Sequence, residues 1–175
     1  MALGEYLSTG WRKFLDGLRS DDRRRLLDFL REEYLDEVKD AAQFEAHAER
    51  MIYPQFRERL QRIAQEEKAH VEWLRNKILA LGGELPQRSV LDIEKAGNAW
   101  ENLLIDVDEE KRDAVHVLTR LYTVAERVDP EIAAGLRRMH EEETRHGDEI
   151  TQMLMRSDPQ AFSTTPNPGV SERKK

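Results

Sequence analysis

Glu67 and His70, three residues apart in Gln65-Glu-Glu-Lys-Ala-His70, recur 76 residues later as Glu143 and His146 in Glu141-Glu-Glu-Thr-Arg-His146. Residues three apart share one face of a helix, so each pair aims a carboxylate and an imidazole at a single point. Both pairs interrupt apolar lines of helical period. One runs Phe56, Leu60, Ile63, then the pair, then Leu74 and Ile78; the other runs Ile132, Leu136, Met139, then the pair, then Ile150 and Met153. A helix that buries such a line must also bury its polar pair. Two of them in one chain imply a core that brings four polar groups to one site.

Two further lines each carry one acid in the same place. Leu30, Tyr34, Glu37, Ala41, Phe44, Ala48 and Met51 form the first. Trp100, Leu103, Val107, Glu110, Ala114, Val117, Leu121, Val124 and Val128 form the second. The boundaries follow from local chemistry. Pro54 ends one helix near Tyr53 and suits the first turn of the next, and Asp129-Pro130 repeats the device with a capping aspartate. Gly82-Gly83 reads as a C-terminal glycine cap. Asn98 and Glu101 have capping-box spacing and open the third helix. Ser20, followed by Asp21 and Asp22, reads as the N-cap of the first long helix. The chain thus divides into a short docking helix over 1–19, a four-helix bundle over 20–157 and a disordered Ser-, Thr- and Pro-rich tail over 158–175. The hairpins of the bundle are 21–81 and 99–156. The expected fold is all-α.

Residues 82–97 form the one long connection, with a helical turn expected around 90–95. Helices of about 27 residues are roughly 40 Å long, and sixteen extended residues can span roughly 50 Å. An up-down-up-down bundle needs only a few residues at that point. A crossover that returns along the bundle is therefore expected, relating the hairpins by an approximate two-fold axis and bringing the four interruptions to one level.

Composition limits what such a site can be. The chain has no cysteine, which excludes disulfides, thiol catalysis and cysteine-bound iron, so any metal is held by oxygen and nitrogen. Its net charge of −7, with basic residues interleaved among acids, argues against nucleic acid as a partner; Arg23-Arg24-Arg25 reads as solvated helix surface. No run is apolar and long enough for a membrane span, and no signal peptide is evident, so a cytoplasmic location is expected. An unpaired buried carboxylate costs several kcal/mol. A core network of Glu–His hydrogen bonds would absorb some of that cost. Two metal ions account for all six positions, because they neutralise the carboxylates while the imidazoles complete the coordination.

With Glu37, Glu67-Lys-Ala-His70, Glu110 and Glu143-Thr-Arg-His146, the chain resembles the ferritin-like superfamily of di-iron carboxylate proteins, in its bacterioferritin and rubrerythrin branch, over roughly residues 21–156. The resemblance implies a bundle in which Glu37 and His70 bind mainly one metal, Glu110 and His146 mainly the other, and Glu67 and Glu143 bridge. It implies two Fe ions, with Mn or a mixed Fe/Mn pair as alternatives, and oxidation of Fe(II) or reduction of oxygen or peroxide. A non-catalytic metal-binding or structural bundle is the alternative function. The lack of cysteine removes any rubredoxin module, so peroxidase chemistry would need an external electron donor; a homodimer is compatible with the resemblance. The spacing from Glu110 to Glu143 is 33 residues, as in that family, but only 30 from Glu37 to Glu67. Either the first turn is tighter or Glu33 replaces Glu37. Asp113 stands where rubrerythrins carry an additional Glu, as an extra ligand or a neighbouring acid. His47 and His116 fall off the seams and read as surface histidines, and Tyr34 and Tyr122 as core packing.

Overall fold

The computed structural model describes residues 2–87 and 93–158, with the side chains of 2–19, Leu121 and Tyr122 outside the description. The expected turn at 90–95 and the tail beyond Asp158 therefore fall largely outside it; residues 93–96 form no helical turn. Helix α1 spans Ala2–Arg50, α2 Pro54–Ala80 and α3 Ala99–Arg120. A π-helical segment, Leu121–Ala125, and the short α4, Glu126–Val128, prolong α3 before α5, Pro130–Leu154. No β-strand occurs among the described residues, and no described helix is long and apolar enough to cross a membrane.

The expected break at Ser20 is absent, because α1 runs through it. Nothing near Ser20 forbids a helix. There is no proline, and isolated glycines such as Gly10 and Gly17 cost only about 1 kcal/mol each. Other boundaries follow their local chemistry. Asp129 accepts hydrogen bonds from the Glu131 and Ile132 amides, and Pro130 opens α5. Asn98 accepts from the Glu101 amide at 2.9 Å, while Glu101 reaches back to the Gly97 amide at 2.8 Å. After α2, Gly82 adopts a φ of +70°, a left-handed conformation that glycine tolerates, while the Gly83 amide bonds to the Ile78 carbonyl.

The crossover returns along α1. Near its start, Arg31 Nε donates to the Glu84 carbonyl at 3.0 Å; near its end, His47 Nε2 donates to the Glu94 carbonyl at 2.8 Å and Arg50 to the Ala96 carbonyl at 3.0 Å. Residues 31 and 47 lie about 24 Å apart on a helix rising about 1.5 Å per residue, so the connection travels much of the bundle's length. As a result α2 and α3 run parallel. Pairings such as Arg59 with Glu149 and Lys77 with Glu131 then set α2 antiparallel to α5.

Among the described residues, two apolar clusters fill the interior. Leu26, Phe29, Leu30, Leu74, Ile132 and Leu136 belong to one, and Phe44, Met51, Leu60, Ile63, Leu103 and Ile150 to the other. The interrupted positions lie between them along every helix. Close approach of α2 to α5 is made at Gly135, where a Cβ would stand 1.9 Å from Cζ2 of the half-buried Trp73 ring. Gly135→Ala is therefore expected to destabilise the bundle by about 1–3 kcal/mol and to lower Tm by a few to about ten degrees. Thermal melts of the two proteins check this, and unchanged melting would show that the indole swings aside freely.

Candidate metal centre

The polar layer is assembled by periodicity. Each seam continues unbroken through its helix, so Glu37 of α1, Glu67 and His70 of α2, Glu110 of α3, and Glu143 and His146 of α5 are carried inward with their apolar neighbours. None of the six is more than 5% exposed. Their donor atoms converge in two sets, Glu37–Glu67–His70–Glu143 and Glu67–Glu110–Glu143–His146, each with its atoms within 4.8 Å of one another. Glu67 and Glu143 belong to both. The His70 Nδ1 lies 2.9 Å from Glu67 Oε2 and 3.3 Å from carboxylate oxygens of Glu37 and Glu143. The His146 Nδ1 lies 2.8 Å from Glu67 Oε1 and 3.6 Å from Glu110 Oε1. The two imidazoles face each other with centroids 6.5 Å apart.

Glu37 occupies the layer and Glu33 does not join either set, so the three-residue deficit of the first hairpin resides in its turn. Pro54 precedes Glu67 by 13 residues, as Pro130 precedes Glu143. The difference therefore lies before each proline, where the second hairpin carries the π-helical segment and α4.

Electrostatically the layer is frustrated. Burial, reinforced by Glu143 and then Glu67, pushes the Glu37 carboxyl well above the ordinary range; burial and Glu143 do the same to Glu110. Burial also opposes ionisation of Glu67, but the His146 imidazole beside it and a hydrogen bond from His70 hold its carboxyl below the usual range. Burial disfavours both imidazolium ions, yet Glu143, Glu37 and Glu67 raise His70, and Glu67 raises His146. Even so, Glu67 Oε1, both Glu110 oxygens, Glu143 Oε1 and His146 Nδ1 are buried without a hydrogen-bond partner. Such atoms are costly in a sealed core. Oxygen and imidazole donors facing inward from four helices fit two divalent cations, which would satisfy these atoms and offset the negative charge.

The outer nitrogens are held by residues overlooked in the sequence reading. His70 Nε2 donates to Glu142 at 2.6 Å, and His146 Nε2 donates to Glu66 at 2.7 Å. Each imidazole of one hairpin is thus anchored by the other hairpin, and once a metal displaced the inner proton the bond would hold the tautomer that turns an Nδ1 lone pair inward. A signal was present, because Glu66 and Glu142 obey the same 76-residue offset as the inner pairs.

Asp113 is half-buried and joins neither set. Burial, then Glu143 and Asp36, push its carboxyl up to about 7. Glu33 is buried one turn before Glu37, and burial followed by Asp36 raises its carboxyl to about 9. His116 is half-buried with Nδ1 3.5 Å from Glu33 Oε2. Tyr34 packs in the apolar cluster with Leu30 and Met139; the side chain of Tyr122 lies outside the description. His47 is not a surface histidine. It is 1% exposed, and its Nδ1 lies 2.7 Å from Asp106 of α3, which also accepts from Gln43 at 3.3 Å. With the Glu94 carbonyl on its other nitrogen, His47 ties α1 to α3 and to the crossover.

The family model of the ferritin-like domain matches residues 40–157. No curated protein matches the chain by sequence. Among solved structures, the chain is similar to the ferritin-like, diiron-carboxylate proteins from Bacillus anthracis str. Ames, at 23% identity and a TM-score of 0.70 over 76% of this chain and 97% of that one. It is also similar to the Desulfovibrio desulfuricans bacterioferritin, described with its diiron site, at 21% identity and a TM-score of 0.71 over 78% and 82%. A protein from Xanthomonas campestris pv. campestris shares the fold at 15% identity and a TM-score of 0.68 over 77% and 92%.

Proposed function

Since the chain belongs to the ferritin-like family, we propose that it is a dinuclear metal protein, holding two Fe ions or a mixed Fe/Mn pair, that oxidises Fe(II) or reduces oxygen or peroxide. The observation carrying this reading is the convergence of six buried donors into two sets sharing Glu67 and Glu143, with five of their atoms unsatisfied. Glu37 and His70 would hold one ion, Glu110 and His146 the other, with both shared carboxylates between them. Bound iron would supply the one-electron redox chemistry that this reading requires.

The chain's own residues prepare that chemistry. Glu142 and Glu66 fix the orientation of the imidazoles and accept their outer protons. Glu37 and Glu110, their carboxyls raised by burial and neighbouring acids, retain protons when no metal is present and release them to make room for it. The apolar clusters on either side keep bulk water from the layer. An external electron donor closes the cycle for peroxide or oxygen reduction.

The test is to load chelator-treated protein with Fe(II) under anaerobic conditions, count the ions, and add oxygen or peroxide while following Fe(II) loss. Two tightly held ions per chain in the buried layer, and oxidation at least about tenfold above free Fe(II), are expected. Binding of two ions with oxidation no faster than in buffer would establish the non-catalytic, metal-holding alternative instead.

A further inference from the structure

One turn along α1 from Glu37, Glu33 and Asp36 stand three residues apart and meet His116 of the antiparallel α3. One donor atom from each lies within 4.8 Å of the others. Three features distinguish this group from an ordinary surface cluster of acids. Glu33 is 97% buried, yet its Oε2, the atom aimed at His116, has no hydrogen-bond partner. His116 Nδ1 approaches that oxygen only to 3.5 Å, too far for a good hydrogen bond but close to the separation of two atoms that share a metal ion at about 2.0–2.2 Å each. The imidazole is also oriented, with Phe29 meeting it edge to face at 6.0 Å and 86°.

The surroundings suit a cation that exchanges with solvent. Asp36 is exposed and lines a polar cavity of about 170 Å³ together with Lys39, Asp40, Glu109, Arg112 and Asp113. Four acids against two bases line that mouth, an excess of acidic groups that favours a bound cation. On its inner side, Glu33 lies close enough to Glu143 for their charges to interact.

We infer that Glu33, Asp36 and His116 form a third divalent-cation site, distinct from the buried pair and open to solvent beside it. Two carboxylate oxygens and one imidazole nitrogen leave coordination positions for water, and the set suits Mn(II), Fe(II) or Zn(II). Its affinity is lower than that of the buried pair, because fewer protein donors serve a single ion and no carboxylate bridges to a second.

The experiment uses the full chain, stripped by chelator and equilibrated with Mn(II). Metal content is measured by equilibrium dialysis, and the ions are located in crystals by anomalous scattering at the manganese edge. The native chain is expected to bind three ions per chain, one of them between Glu33, Asp36 and His116. His116→Ala, at a half-exposed position, should lose that ion or weaken it roughly tenfold or more while keeping the other two. Asp36→Asn provides a second, exposed variant with the same expected loss. The inference is overturned if the native crystals show manganese only in the buried layer, or if both variants bind as many ions as the native chain. Manganese at the third site with none between Glu67 and Glu143 would uphold this inference and defeat the dinuclear reading.

Discussion

Glu143→Ala is expected to hold well under one metal ion in its buried layer after equilibration with Fe(II) or Mn(II) at a concentration that gives the native chain a full buried pair. Glu143 and Glu67 are the residues common to both donor sets, so removing either carboxylate takes a ligand and a negative charge from both positions. A loss of at least about a hundredfold in affinity is expected, at or beyond the upper end of what changes to outer partners alone produce. His146→Ala should be milder. That imidazole serves one set only, contributes no negative charge when it binds, and leaves the Glu37–Glu67–His70–Glu143 set intact. Metal analysis of the dialysed proteins checks both. Two buried ions retained in Glu143→Ala would falsify the shared role of this carboxylate.

A trivial explanation, that the variant unfolds, has the opposite signature. The charge of Glu143 is among the causes that raise the carboxyls of Glu37, Glu110, Glu33 and Asp113. Glu143→Gln keeps the volume and removes that repulsion, which offsets the loss of its attraction for His70, so without metal it should melt close to the metal-free native chain. The same substitution should still lose the metal.

The legible parts of this molecule are those where one physical signal dominates. Phe56, Leu60, Ile63, Leu74 and Ile78 repeat at helical spacing because they face a core, and all of them are buried. Glu67 and His70 could be read as buried because they share that line. The length of 82–97 implied the crossover, since a chain that turns at once does not need sixteen residues. What escaped was polar burial without an apolar frame. Gln43 and His47 on α1, and Asp106 and Glu109 on α3, form a second stripe beside the apolar one and are buried against each other. On a chain with 36% charged residues, such a stripe looks like solvated surface until its partner helix is known. The π-helical segment at Leu121–Ala125 was hidden for another reason: it differs from α-helix by one residue of register, and Leu-Tyr-Thr-Val-Ala has no residue type that marks it. The continuity of α1 through Ser20 shows the limit of capping signals, because a serine followed by acids permits a helix start without requiring one.

The metal-free chain should melt about 10–20 °C below the loaded one near neutral pH, and the gap should widen as pH rises. A cation that binds only the folded state at about a hundred times its Kd adds about 2.7 kcal/mol, so two together add about 5 kcal/mol. At roughly 2–4 °C per kcal/mol for a chain of this size, that gives the stated shift. The pH dependence follows from the layer itself. Glu37, Glu110 and Glu33 have folded-state carboxyls raised above their unfolded values, so the folded chain holds protons that the unfolded chain releases. Their contribution to metal-free stability is present below the ordinary carboxylate range and is lost as pH climbs toward about 9, the value for Glu33. The raised His70 and His146 act in the same direction, losing their stabilising effect above the ordinary imidazole range. Glu67 and Glu66 are lowered instead, so their contributions are lost only on acidification. Metal binding draws on the deprotonated forms, so loading releases protons and the loaded fold escapes this decline. Thermal melts from pH 5 to 9, in chelator and in Mn(II), measure the gap directly. A separation that stays constant or narrows with rising pH would show that the buried acids of the metal-free layer are not held protonated.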